Sequence, residues 1–369
     1  MSLAIRQAQK GAGFVAPNPL VGCVILDQEQ RLLSLGYHRR WGGDHAEVEA
    51  LKKIPTQDRR RALQGAQVFV TLEPCAHQGL TPSCAHELIR WPLAKVIYGL
   101  KDPNPKVSGK GAEIIRQKGI SCEQADFLQG ELEDLAEVFL TNMREQRSFI
   151  ALKVASSLDG KLAMANGESQ WITNESSRHH VQYLRGIYQA VLIGRQTLLK
   201  DQPRLNSRHP RFQDRQNTVI VLDPKGQSLD GLAHSSLAQV RPLDKIVLVL
   251  SERRKKALGP RGRIGFELLF CPELESGQLD LLWLSRELYR QGIASILVEG
   301  GAHTHSQFLQ QGPADRLYQF LGPVLMGGPQ AIGWTEGLQI QSFQERLVLR
   351  RMKAFKLEDN ILVTGCLGR

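Results

Sequence analysis

At 369 residues the chain is long for one hydrophobic core, so two domains are expected. Its 42% apolar content is ordinary for α/β material, and no apolar run approaches the roughly 20 residues that span a bilayer. The net charge of +10 is uneven, +2 over residues 1–147 and +8 over the rest. That basic second half suits a phosphorylated ligand, nucleic acid, or simply a solvated surface.

Residues 1–10 read as an amphipathic helix without a signal-peptide core, and a cytoplasmic location is expected. Strands are predicted at 20–26, 31–35, 66–72 and 95–100, with helices at 45–53 and 84–91 between them. Alternation of this kind predicts βαβ units around a largely parallel sheet. A polar helix over 130–145 leads into a strand at 149–155, and the boundary is placed near Arg147, giving domains 1–147 and 148–369. The second half mixes strands (190–194, 218–223, 245–250, 295–299, 317–321) with helices (174–188, 279–291, 303–311). Residues 224–244 read as an irregular surface excursion.

His45-Ala-Glu47, followed by Pro74-Cys75 and then Cys84, carries the chemistry. One imidazole and two thiols make a soft three-ligand set that leaves the fourth tetrahedral position of Zn²⁺ open. A glutamate two residues after the histidine can move protons without binding the metal, the pattern of zinc deaminases. His45 and Cys84 are each expected where a helix opens after a strand. Cys75 and Cys84 lie nine residues apart, wider than a plain C-x-x-C pair, so the insertion must loop out, with Gly79 and Pro82 to turn it. His77 could close a purely structural zinc site, and that alternative stays open. Cys23, Cys122, Cys271 and Cys366 read as small buried hydrophobes, and thiols are preferred to disulfides throughout.

Further motifs occur in order: Pro17-Asn-Pro-Leu-Val-Gly-Cys-Val-Ile25, Gly36-Tyr-His38, Thr71-Leu-Glu-Pro-Cys-Ala-His77, Thr81-Pro-Ser-Cys84 and Asp102-Pro-Asn-Pro105. The second half holds Leu152-Lys-Val-Ala-Ser-Ser-Leu-Asp-Gly160, Gly167-Glu-Ser-Gln-Trp-Ile-Thr173 and Val298-Glu-Gly-Gly301. With these the chain resembles, over nearly its whole length, the bifunctional riboflavin-biosynthesis deaminase/reductases. The resemblance implies a cytidine-deaminase-like three-layer αβα domain, then a dihydrofolate-reductase-like α/β domain; a G-x-G-x-x-G fingerprint is absent from the sequence. It implies zinc-dependent deamination of a phosphoribosylaminopyrimidine and NADPH-dependent reduction of its ribosyl group.

By the same resemblance Asn18 and His38 line the deaminase pocket, and Lys153, Ser169, Arg185, Asp201, Leu205, Arg208 and Glu299 touch the reductase substrate. Ala155, Trp171, Thr197, Gly300 and Gly301 hold NADPH. Chemically, Arg185 and Arg208 suit a sugar phosphate, Glu299 suits pyrimidine N–H donors, and the Gly300-Gly301 amides suit a cofactor phosphate. The implied partners are small-molecule phosphoribosyl pyrimidines, with no nucleic acid, no membrane, and assembly as a homo-oligomer. Leu80 stands where the family usually has a basic residue, Gln202 where it has a second acid, and the chain starts several residues later than typical members.

Overall fold

The computed structural model describes residues 1–76, 82–104, 108–213, 215–258 and 265–368. They form two compact units, Met1–Gln146 and Arg147–Arg369. No helix among the described residues is long and apolar enough to cross a membrane.

The first unit is built on a five-stranded sheet in the order Leu32–Tyr37, Gly22–Leu26, Gln67–Leu72, Lys95–Leu100, Ser121–Gln124. Gly22–Leu26 pairs antiparallel with both its neighbours, and the remaining pairings are parallel. Four strands therefore run one way and one runs against them. The connection 27–31 is too short for a crossover, which forces the reversal. Because the four co-directional strands end at one edge, the segments after Tyr37, Leu72 and Leu100 emerge together. That edge is where open α/β sheets gather ligands. Cys23, Ile25, Val68, Val70 and Val96 join Ala50, Leu51, Leu88 and Ile115 from the helices in one core.

The second unit has a nine-stranded sheet. Phe149–Ser156 lies centrally, parallel to Ser295–Val298 on one side and Arg316–Leu321 on the other. Ala190–Gly194 and Thr218–Leu222 follow beyond Ser295–Val298, also parallel. The far end is an antiparallel hairpin, Val348–Leu357 with Asn360–Gly368. The central parallel strands are near-continuous apolar runs, with helices Leu281–Arg290 and Ala302–Gln311 packed on them through Leu284, Leu288, Phe308 and Leu309.

Several elements lie outside the sequence reading. Helix Thr56–Ala62 buries no residue and so has no apolar stripe to detect. Strand Val348–Leu357 is exposed along nearly its whole length, so it lacks the alternation of a half-buried strand. Helices Lys110–Gln117 and Arg195–Asp201 and strands Ser121–Gln124 and Glu267–Cys271 were likewise not anticipated. The expectation that residues 224–244 are a surface excursion needs correction. The segment is irregular, yet Leu229, Leu232 and Leu237 are core residues and the Arg241 guanidinium is buried against Asn217 and the Arg204 carbonyl. Cys366 is also corrected: it is half-buried, and Arg316 and Arg351 direct N–H groups at its sulfur from 3.2 and 3.0 Å.

Candidate functional site

In the first unit, His45 is the N-cap of helix Ala46–Lys52 and Cys84 opens helix Cys84–Leu88. Cys75 follows strand Gln67–Leu72 directly, so three segments from one sheet edge converge. His45 Nδ1 lies 3.2 Å from Cys84 Sγ and 3.6 Å from Cys75 Sγ, and all three donor atoms fall within 4.8 Å of one another. Ser83 fixes the return of the insertion: its hydroxyl donates to the Cys75 carbonyl at 2.7 Å, and Cys84 N–H points to Cys75 Sγ at 3.3 Å. A hydrogen bond from the Cys84 thiol, then His45, holds Cys75 down at about 4, whereas that same pairing and burial push Cys84 up. This donor set fits Zn²⁺. His77, the candidate fourth ligand of a structural zinc, lies outside the described residues, as do Gly79 and Leu80.

Helix Ala46–Lys52 buries Ala46, Ala50 and Leu51 but also two carboxylates, which a purely structural helix would avoid. Glu49 is satisfied by Tyr37 N–H at 2.6 Å, Arg39 at 2.7 Å and Lys53 at 3.1 Å. Glu47 is 3% exposed, and burial raises its carboxyl against the opposing pull of His45. A buried carboxyl whose proton is held more tightly than usual suits general acid–base work. The helix reaches this depth because Gly36 has no side chain: a Cβ there would strike the Ala46 carbonyl.

His38 packs edge-on against His45, ring centroids 5.3 Å apart. Its Nδ1 lies 2.9 Å from the Asp44 carbonyl and its Nε2 3.1 Å from Asn18 Nδ2. A carbonyl only accepts, so Nδ1 carries the proton and Nε2 accepts from the amide. Burial lowers the His38 pKa, in keeping with a neutral ring.

The second unit encloses a cavity of about 1470 Å³ along the carboxyl ends of its parallel strands. Lys153, Ala155, Ser169, Trp171, Arg185, Thr197, Asp201, Arg208, Glu299, Gly300 and Gly301 all line it. Leu205 does not; it is 4% exposed and packed with Leu198 and Val219 in the core, in keeping with its apolar side chain. Arg185 spends two N–H groups on Glu299, at 2.6 and 2.9 Å, and Lys153 Nζ stands 3.7 Å from the same carboxylate. Burial works to raise Glu299, but Arg185 and then Lys153 outweigh it and hold the carboxyl below its usual value. Lys153 is lowered by burial despite Glu299. Of the two arginines expected at a sugar phosphate, Arg185 is therefore a partner of Glu299 here, while Arg208 lines the same cavity without that pairing. Burial raises Asp201.

A helix also opens onto the cavity at Gly301. A Cβ on Gly301 would meet nothing within 4 Å, and Gly301 caps helix Ala302–Gln311 without a side-chain bond. First-turn N–H groups facing open space fit a dinucleotide phosphate. Trp171 is 71% exposed with the Arg178 guanidinium 4.5 Å from its ring centre. Two contributors escaped the sequence reading. Gln182 accepts Arg208 N–H at 3.0 Å and its carbonyl takes the Ser207 hydroxyl at 2.7 Å, fixing the Arg208 segment. His305 is buried at the cavity and pushed down to about 4 by that burial. Neither belongs to a motif; the regular spacing of Val181, Leu184 and Tyr188 marks the helix, not the role of Gln182.

A family model described as cytidine and deoxycytidylate deaminase zinc-binding region matches residues 1–100, and one described as RibD C-terminal domain matches residues 148–363. The chain is 35% identical to riboflavin biosynthesis protein RibD of Actinobacillus pleuropneumoniae, covering 98% of this chain and 93% of that protein. It is 36% identical to RibD of Escherichia coli K12, covering 89% and 88%. Among solved structures it superposes on Acinetobacter baumannii RibD with a TM-score of 0.82 at 32% identity, covering 100% and 98%. The deaminase/reductase of Thermotoga maritima gives 0.81, also at 32%, covering 100% and 97%. The chain belongs to the RibD family, the bifunctional deaminase and reductase enzymes of riboflavin biosynthesis.

Proposed function

We propose that the first unit hydrolyses the 2-amino group of 2,5-diamino-6-(5-phosphoribosylamino)pyrimidin-4(3H)-one and that the second reduces the ribosyl group of the product, 5-amino-6-(5-phosphoribosylamino)uracil, to ribityl. The observation that carries the reading is the convergence of His45, Cys75 and Cys84 within 4.8 Å beside the buried Glu47.

His45, Cys75 and Cys84 would hold one zinc ion, which when bound supplies the positive charge that makes a water acidic near neutral pH. Water adds to the ring carbon and ammonia leaves. Glu47 accepts a proton from the attacking water and passes protons to the ring nitrogen and the departing amine. Asn18 and the neutral His38 form one wall, with the Asn18–His38 bond holding the amide ready for substrate.

In the second unit, the helix start at Gly300 and Gly301, with Ala155, Trp171 and Thr197, would hold NADPH, which supplies a hydride. Adding hydride at the sugar's anomeric carbon opens the ring, and the ring oxygen needs a proton. Lys153 stands beside Glu299 in the cavity and is the cation placed to deliver it. Arg208 takes the phosphate, Ser169 and Asp201 the sugar hydroxyls, and Glu299 the pyrimidine N–H groups. The purified enzyme should release ammonia from the diaminopyrimidine compound and oxidise NADPH only when the deaminated compound is present. Ammonia release without NADPH oxidation would remove the reductase half.

The chain is further proposed to act in the cytoplasm as a homo-oligomer. Six free thiols accord with a reducing compartment. Val348–Leu357 is an exposed ten-residue edge strand bearing Met352 and Phe355, an arrangement monomers seldom leave uncovered. Light scattering that returned 41.2 kDa would refute the assembly.

A further inference from the structure

The carboxylate of Glu73 takes three backbone hydrogen bonds from a segment that comes 29 to 39 residues later. Asp102 N–H and Gly109 N–H reach Oε2 at 3.3 and 3.0 Å, and Ala112 N–H reaches Oε1 at 3.3 Å. Glu73 is 3% exposed, so these bonds offset a substantial desolvation cost. Gly109 is the N-cap of helix Lys110–Gln117 and has no side chain to cap it, and Glu73 takes two of the N–H groups at that helix start, those of Gly109 and Ala112. The approach is closed from the other side by Gly111, where a Cβ would collide with the Pro74 carbonyl. Glu73 and Pro74 are the two residues immediately before Cys75. The Glu73 backbone is itself fixed, N–H to the Leu100 carbonyl at 2.8 Å.

We infer that Glu73 is a positioning residue: with Gly111 it clamps the Pro74-Cys75 loop to the first turn of helix Lys110–Gln117 and so sets where the Cys75 sulfur meets the other two donors. This rests on the zinc reading above. Glu73 is not one of the three donors; it acts through the loop. Replacing carboxylate by amide places an N–H₂ group against N–H donors and breaks at least one of the three bonds.

The test is zinc release from the full-length, zinc-loaded chain to a chelator, measured for wild type, Glu73→Gln and Gly111→Ala. Outer-shell partners of metal ligands typically contribute 10–100-fold in metal affinity, and zinc loss faster by that order is expected in both variants. NADPH-dependent turnover checks that the rest of the chain is folded, and deaminase kcat should return toward wild type at saturating zinc. Unchanged zinc retention in Glu73→Gln overturns the inference. If that variant does not fold, Gly111→Ala decides: wild-type retention there overturns the clamp and faster loss supports it. A wild-type chain that keeps zinc but deaminates nothing would sink the function and leave the Glu73 inference to be judged on metal release.

Discussion

Arg185 and Glu299, 114 residues apart in sequence, form a two-point ion pair inside the cavity of the second unit, Nε to Oε1 at 2.6 Å and Nη2 to Oε2 at 2.9 Å. Strand Ser295–Val298 delivers Glu299 next to Lys153, and helix Glu175–Ile187 delivers Arg185 near its last turn. Two cations therefore share one buried carboxylate.

Removing Arg185 leaves that carboxylate with only Lys153. Arg185→Ala should destabilise the chain by about 3–5 kcal/mol, the usual cost of orphaning one partner of a buried pair. Denaturant unfolding measures it, and a loss under 1 kcal/mol would mean that solvent already screens Glu299. Reductase kcat/KM should fall in parallel, while ammonia release stays unchanged.

Glu47→Gln keeps the shape of the side chain but cannot carry the proton. Zinc content and fold should survive, and deaminase turnover should drop 10²- to 10⁴-fold, the range for a general acid–base. Supplied with the deaminated compound, the same variant should oxidise NADPH at the wild-type rate. Deamination at the normal rate would strip Glu47 of its role.

Gly36→Ala forces a methyl group against the Ala46 carbonyl, backbone against side chain. Strand and helix must separate, at about 1–3 kcal/mol for overpacking. Because that helix carries Glu47 and starts from His45, a lowered Tm should come with weaker zinc binding. Intact zinc binding at a lowered Tm would show that the strand carrying Gly36, and not the helix start at His45, moves to make room.

Asp159 accepts the Ser157 hydroxyl at 2.6 Å and the Met326 and Gly327 N–H groups at 3.1 and 2.7 Å, and the Ser157 bond followed by the backbone bonds holds it down to about 2. A depressed carboxylate stabilises the fold fully above its ordinary value near 3.8 and loses that contribution as pH falls through about 2. Wild type should therefore exceed Asp159→Asn in stability at pH 7, and the two stability curves should converge as pH falls through about 2. Parallel curves across that range would show that the bonds survive protonation.

The metal-site residues were legible because their spacing is local: His45-Ala-Glu47 is one helical start, and Pro74-Cys75 follows shortly after one strand. The apolar runs at 149–155 and 190–194 announced buried strands for the same reason. What a linear reading could not supply is pairing across the fold. Glu73 stood in plain view within Thr71–Cys75, but its donors at 102, 109 and 112 are contributed by a different crossover. Arg185 looked like a phosphate ligand until the strand order brought Glu299 beside it. Leu205 was carried over by family resemblance, and its side chain followed its hydrophobicity into the core instead.

Trp171 gives the cavity of the second unit an optical gauge of its own. Its indole lies open to solvent on the rim, against the Arg178 guanidinium, where an incoming dinucleotide would cover it. Occupancy should dim its fluorescence without any label attached, and Trp171→Phe should erase that signal against the background of the other four tryptophans.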